Sequence, residues 1–192
     1  MITLVDIDNI LNNFTETCLY LYNHDKGTSF NVSNILQYDI TESLHITNKE
    51  EFRQNYLCNS TVVDYCRPLP EAPKYLEKIT KLSQVYLVTA RDWTQLTNIQ
   101  AWVSKFYPFI EDNQIIRCQD KSMVRGDILI DDCLDNLVSF PGGKIVLDYP
   151  WNRYSVEDYD TDAPLIPDLT NFIFRTTDWE HIYQTIKIMI SK

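Results

Sequence analysis

Ile2-Thr3-Leu4-Val5-Asp6-Ile7-Asp8 opens the chain with a short apolar run that ends in two carboxylates. Such a run lacks the polar alternation of a half-exposed strand and predicts a strand buried on both faces of a sheet. Val85-Tyr86-Leu87-Val88, Ile115-Ile116, Ile128-Leu129-Ile130, Ile145-Val146-Leu147 and Phe172-Ile173-Phe174 read the same way. Between most of them the period changes to that of a helix. Ala72, Tyr75, Leu76, Ile79 and Leu82 make one apolar stripe, with prolines at 68, 70 and 73 marking its start. Leu96, Ile99, Val103 and Phe106 make another, stopped by Pro108, and Trp179, Ile182, Tyr183, Ile186 and Ile190 make a closing helix with Asp178 as its N-cap. Strands alternating with helices predict an α/β fold: a Rossmann-like parallel sheet flanked by helices.

One stretch breaks the alternation. Residues 15–70 hold no convincing strand, yet they are rich in Tyr, Leu and Phe at helical spacings, and one helix is expected to end at Gly27. A helical insert directly after the first strand reads as a small cap over the carboxyl edge of the sheet, the core being residues 1–14 and 71–192. The segment from Pro150 to Pro167 is expected to be a long loop.

Composition narrows the function. The 192 residues suit one domain, or one domain with a sizeable insert, and 44% hydrophobic residues supply a real core. Lys and Arg total 17 against 27 Asp and Glu, a formal charge of −10, which excludes a nonspecific grip on a nucleic-acid polymer. No apolar run approaches the ~18 residues of a membrane span, and the N-terminus runs into Asp6 with no room for a signal peptide. The 5 cysteines are an odd number without C-x-x-C spacing, so neither a zinc site nor a disulfide framework is expected. Reduced thiols in a cytoplasmic protein fit better.

The chemistry lies at the strand ends. Asp6 and Asp8 stand two apart on an extended chain, where two like charges are costly without a cation beside them. The second strand finishes in Thr89-Ala90-Arg91-Asp92, a hydroxyl and free amides before a helix, suited to phosphate oxygens. Asp127-Ile128-Leu129-Ile130-Asp131-Asp132 places an acidic pair after another buried strand, a pattern suited to a hard cation. Lys121 precedes it in Gln119-Asp120-Lys121-Ser122. Taken alone, each of these also has a plain reading as a cap or a solvated charge.

In this order the four signals resemble the haloacid-dehalogenase-like phosphatases, and within them the 5′(3′)-deoxyribonucleotidases and their bacterial and phage relatives. Asp6-Ile7-Asp8-Asn9-Ile10-Leu11-Asn12-Asn13-Phe14 is similar to the family string D-M-D-G-V-L-A-D-F, and Asp120-Lys121 with Asp127-Ile128-Leu129-Ile130-Asp131-Asp132 to D-K…D-L-L-I-D-D at the same spacing. Asp148-Tyr149-Pro150-Trp151-Asn152 is similar to a Pro-aromatic-Asn string of the bacterial members. Two departures stand out. Asn9 replaces a Gly, although Asn tolerates φ > 0, and Ala90-Arg91 replaces Ser-Pro, which removes a phosphate hydroxyl.

The resemblance implies that Asp6 is the nucleophile of an aspartyl-phosphate intermediate and Asp8 the general acid and base. It implies Mg²⁺ held by Asp6, the Asp8 carbonyl and Asp132, with Asp131 as a ligand or as support for one. Thr89, the Ala90 amide and Lys121 would take the phosphate, and Phe14 would lie against the base. Tyr38, Asp39 and Ile40 would complete the nucleoside pocket. The expected partner is a small phosphomonoester, a nucleoside monophosphate, with a homodimer as the assembly. A sugar-phosphate phosphatase of the same fold and a binding-only relative remain open. A receiver domain does not fit, because there the acidic pair comes first in the chain.

Overall fold

The computed structural model describes residues 1–153 and 173–191. Six strands, β1 (Ile2–Val5), β2 (Gln84–Thr89), β3 (Ile115–Arg117), β4 (Ile128–Asp131), β5 (Gly143–Leu147) and β6 (Ile173–Thr176), form one sheet in the order β3-β2-β1-β4-β5-β6. Every neighbouring pair is parallel. All six expected strands are present; Phe172 lies outside the described residues. So does residues 154–167 of the expected loop, whose first residues, Pro150–Asn152, wind into a 3₁₀ turn.

Burial explains why the strands read as unbroken apolar runs. β4 is buried at all 4 positions and β1 at 3 of its 4. Alternate residues serve two cores, as the pleat requires. Val5, Leu87, Ile130 and Ile145 face helices α4 (Ala72–Thr80), α5 (Trp93–Phe106) and α7 (Trp179–Ile190). Leu4, Val88, Leu129 and Val146 face Leu134 and Leu137 of the short helix α6 (Leu134–Ser139) and the following Phe140. Ile79 of α4 and Ile186 of α7 are fully buried, so truncating either to Ala should cost about 2–5 kcal/mol. The closing helix starts as expected, with the Asp178 side chain accepting from the His181 amide at 2.8 Å.

The span between β1 and α4 carries no strand of this sheet. Its first helix, α1 (Phe14–Lys26), ends on Gly27 in the left-handed conformation, φ 66°, which a glycine adopts without a Cβ penalty. Two four-residue helices follow, α2 (Ile40–Ser43) and α3 (Lys49–Phe52), and then a π-helical turn over Arg53–Leu57. Helices of one turn do not stand alone. They lean on a cluster of rings in which Tyr22 meets Phe52 and Tyr56 edge-on, with centroids 5.2 and 5.4 Å apart.

The two crossings between this insert and the core lie side by side. The Asn13 amide donates to the Arg67 carbonyl at 3.1 Å, and the Leu69 amide to the Leu11 carbonyl at 2.9 Å. The Arg67 amide returns a bond to Asn13 Oδ1 at 2.7 Å. β1 sits between β2 and β4, so the strand order reverses beside it. In open parallel sheets the crevice at such a reversal, beyond the carboxyl ends, is where ligands bind.

Candidate active site

Asp6 follows the last residue of β1, and its amide donates to the Ile130 carbonyl of β4 at 2.9 Å. This ladder bond brings the ends of the two acidic strands together. Lys121 reaches them from a 3₁₀ turn, Lys121–Met123, whose start is capped by Asp120 accepting from the Ser122 amide. Only 2% exposed, its Nζ donates to Asp6 Oδ1 at 2.5 Å and to Asp131 Oδ2 at 2.7 Å. Burial alone would strip the proton from such an amine, but the two carboxylates outweigh it and raise the pKa above that of a free lysine. Asp131 is fixed further by the Cys133 amide at 2.9 Å and by Asn136 Nδ2 at 3.0 Å.

Asp132 points its Oδ2 at Asn9 Nδ2, 3.0 Å away. Its backbone carbonyl accepts from Asn152 Nδ2 at 2.9 Å, and Arg175 Nη1 donates to that asparagine's Oδ1 at 2.5 Å. Asp6, Asp131 and Asp132 are all buried, and each offers a carboxylate oxygen within 4.8 Å of the others. Burial, opposed by Lys121 and reinforced by Asp131 and Asp8, pushes the Asp6 carboxyl up to about 7. Asp132 is driven well above the usual carboxylate range by burial, Asp131 and Asp6. The charge count adds to the effect of burial in both. Asp6, Asp8, Asp131 and Asp132 face two buried cations, Lys121 and Arg91, which leaves two negative charges for a hard divalent cation to neutralise. An all-oxygen donor set of this kind fits Mg²⁺.

Asp8 stands apart from that cluster. Arg91 Nε donates to its Oδ2 at 2.6 Å and Asn12 Nδ2 to its Oδ1 at 3.3 Å. The Arg91 side chain is 8% exposed; its Nη1 donates to the Leu57 carbonyl of the insert at 3.0 Å, and its Cζ lies 3.7 Å over the Phe14 ring centroid. Asn9 adopts φ 60°, so it does make the turn expected of a glycine. Its side chain does more, since Oδ1 accepts from the Thr15 amide at 2.9 Å. Together with Asn12 Oδ1 on the Phe14 amide at 3.1 Å, this satisfies the first two donors of α1.

These residues line one cavity of about 480 Å³ between the sheet edge and the insert. Asp6, Asp8, Phe14, Tyr38, Asp39, Ile40, Ala90, Lys121 and Asp132 all border it. Two expected residues do not. Asp131 lies behind Lys121. Thr89 is 1% exposed, and its Oγ1 accepts from the Arg91 amide at 3.2 Å. Tyr38 is exposed as a residue, yet burial of its hydroxyl, followed by the charge of Asp132, raises its pKa above that of a free phenol. Asp39 spends its carboxylate on the start of α2, accepting from the Thr41 and Glu42 amides, and Thr41 lowers its pKa. Ile40 is buried beside it.

The sequence reading missed Arg91, taken there only as a departure, along with the amide of Asn9 and Asn136. No spacing rule marks them. Their partners are 83, 123 and 5 residues away in the chain. Arg53 and Leu57 of the insert and Trp151 also line the cavity; of these only Trp151 carried a signal, in its Pro-aromatic-Asn string.

With the geometry in place, comparison with known proteins decides the family. The family model described as 5′ nucleotidase, deoxy (pyrimidine), cytosolic type C protein matches residues 1–164. The chain belongs to that family. Among curated relatives of this nucleotidase family, the 5′(3′)-deoxyribonucleotidase of Clostridium acetobutylicum is 29% identical over 161 residues, covering 78% of this chain and 82% of the relative. That of Bacillus subtilis is 26% identical over 154 residues, covering 78% and 86%. Solved structures agree on the fold. A haloacid dehalogenase-like hydrolase from Streptococcus pneumoniae superposes with TM-score 0.55 at 13% identity, covering 77% of this chain and 84% of the other. A Bacillus subtilis hydrolase of that type, solved bound to magnesium, gives 0.57 at 12% identity, covering 96% and 97%. This nucleotidase-family chain is therefore a phosphatase on a haloacid-dehalogenase-like fold. Its expected class, an α/β parallel sheet flanked by helices, is the one observed.

Proposed function

We propose that this phosphatase hydrolyses deoxyribonucleoside monophosphates with Mg²⁺, through a phosphorylated Asp6. The observation that carries the reading is Lys121 Nζ joining Asp6 and Asp131 beside Asp132, on the wall of the cavity. Asp6, Asp132, the Asp8 carbonyl and, as ligand or support, Asp131 are the groups that would hold Mg²⁺. When bound, the ion supplies positive charge against the phosphate oxygens.

Lys121 occupies Asp6 Oδ1, which leaves Oδ2 to attack phosphorus. Asp8, a carboxylate paired with Arg91 in the resting site, takes up one proton from solvent before the step; as the new O–P bond forms, the ester P–O bond breaks, and Asp8 gives that proton to the leaving oxygen. Water then attacks the phosphorus, Asp8 takes the water's proton, and inorganic phosphate leaves with Asp6 restored. Lys121 and the Ala90 amide bind the phosphate oxygens, so the barrier falls mainly through positioning and fixed charge. Thr89 supports this wall of the cavity through the Arg91 amide, holding the chain in which Ala90 lies. The insert of residues 15–70 acts as a cap whose Tyr38, Asp39 and Ile40 border the nucleoside end. The names of the curated relatives, 5′(3′)-deoxyribonucleotidases, support the substrate class.

A panel of nucleoside and sugar monophosphates, run with Mg²⁺ and again with EDTA, tests the reading. Deoxyribonucleotides should lead the panel, and EDTA should stop phosphate release. Equal turnover of sugar phosphates, or turnover indifferent to EDTA, rejects it.

A further inference from the structure

Resting on the Mg²⁺ site proposed above, we infer that Asn9 is a positioning residue for that cation: its side-chain amide sets the carboxylate of Asp132 and ties it to the first turn of α1. A glycine at this place could do neither. The amide has only one orientation open to it. A backbone N–H is accepted by the oxygen of an asparagine side chain and not by its NH₂, so the Thr15 amide, 2.9 Å away, fixes Oδ1 on α1. That turns Nδ2 towards Asp132 Oδ2, at 3.0 Å. The backbone beneath is held as well. The Tyr149 hydroxyl donates to the Asn9 carbonyl at 2.8 Å, and the Asn9 amide donates to Asn12 Oδ1 at 3.3 Å.

Asp132 depends on this anchor more than its neighbours do on theirs. The Asp131 carboxylate receives Lys121, the Cys133 amide and Asn136, and that of Asp6 receives Lys121. Among the described residues, the Asp132 carboxylate receives Asn9 Nδ2 alone. The bond takes Oδ2 and leaves Oδ1 without a donor, just as Lys121 on Asp6 Oδ1 leaves that residue's Oδ2. A ligand carboxylate already held in place spares the cation the cost of ordering it. Partners of this kind around metal ligands are worth roughly 10- to 100-fold in metal affinity. Because the same side chain accepts from Thr15, the metal site and the start of the insert are joined through one residue.

Asn9→Gly removes both side-chain bonds, and a glycine adopts the φ of 60° without a Cβ penalty, so the turn itself survives. Titration calorimetry of the wild-type chain and of the variant with Mg²⁺ alone, no substrate present, reads the effect. Asn9→Gly should weaken Mg²⁺ binding roughly 10- to 100-fold. In turnover the same change should show as a higher Mg²⁺ requirement, with kcat at saturating Mg²⁺ falling by less than the affinity does. Mg²⁺ binding within about twofold of wild type overturns the proposal and leaves Asn9 as no more than a cap for α1. Tighter binding overturns it too, since Asn9 would then compete with the cation for Asp132. A wild-type chain that takes up no Mg²⁺ rejects the metal reading itself. Should the variant fail to fold, NMR of the wild type decides. The assigned Asn9 side-chain NH₂ signals should exchange slowly with solvent both without and with Mg²⁺, and protection lost when the ion is added overturns the proposal.

Discussion

The sheet edge and the insert meet at one cavity but are built in opposite ways. At the sheet edge the charges are buried and multiply held: Lys121 and Asp131 are each 2% exposed or less, and Asp131 receives bonds from Lys121, Cys133 and Asn136. In the insert the lysine ion pairs among the described residues, Lys26–Glu51 and Lys49–Glu42, have side chains 40–54% exposed. Surface pairs of that kind contribute about 0–1 kcal/mol, whereas removing one partner of a buried pair costs about 3–5 kcal/mol. Removing the cation at the sheet edge is therefore expensive, whereas removing a charge on the outer surface of the insert, away from the cavity, is cheap.

The sharpest way to break this contrast is Asp6→Asn. Turnover should vanish, and a variant that keeps more than about a tenth of wild-type kcat removes Asp6 from the role of nucleophile. The same change should stabilise the metal-free protein. An Asp whose folded pKa is raised binds its proton more tightly when folded, so its penalty is absent near pH 4 and grows as pH rises towards about 7. Melting curves should show the Asn variant level with wild type at about pH 4 and ahead of it above pH 7; an equal gain at every pH would argue against the shift. Mg²⁺ should raise the wild-type melting temperature and help the variant less.

Lys121→Ala comes next, with an expected loss of roughly 10²–10³ in kcat and about 3–5 kcal/mol of stability, since Asp6 and Asp131 lose their shared cation. Near-normal kinetics together with an unchanged melting curve would return Lys121 to a passive role. On the border of the two regions, Phe14→Ala should cost about 3–5 kcal/mol as a cavity opens behind Arg91, measured by denaturant melts. An unchanged midpoint would mean that the guanidinium needs no backing. The smallest effect belongs to the insert. Lys49→Met should change stability by no more than about 1 kcal/mol and leave kcat unaltered, and a larger loss in either would erase the contrast drawn above.

Strands were legible because this sheet is covered on both faces, so Ile128-Leu129-Ile130 could only be apolar throughout. Helix α4 was legible from its stripe, and α1 from Gly27. Lys121 shows where residue types stop being informative. A single lysine in a polar stretch reads as solvated surface, and only its place in an order of motifs similar to the family's moved it inward; the structure holds it between two carboxylates. Asn9 was legible as a backbone choice but not as a donor to Asp132, because a turn residue's φ is local and its amide's partner is 123 residues away. Arg91 was illegible for the same reason, joining Asp8, Leu57 and Phe14 across three separate parts of the chain. The walls at Tyr38, Asp39 and Ile40 were read only by analogy, since α2 and α3, of four residues each, are too short to impose a period.

The paired crossings at Asn13–Arg67 and Leu11–Leu69 carry a consequence for descent. Viewed from the sheet, everything between them is equivalent to a tight turn, because entry and exit are already hydrogen-bonded neighbours. Doubling the enclosed length would add only about 0.6 kcal/mol of closure entropy. Lengthening or shortening the insert's exposed parts should leave the registers of β1 and β2 untouched, whereas Trp102 on the Cys66 carbonyl and Arg91 on the Leu57 carbonyl tie the end of the insert to the core. If the insert selects the substrate as proposed above, a chimaera spliced at these two crossings that keeps the surface facing α5 should inherit its reaction from one parent and its substrate preference from the other.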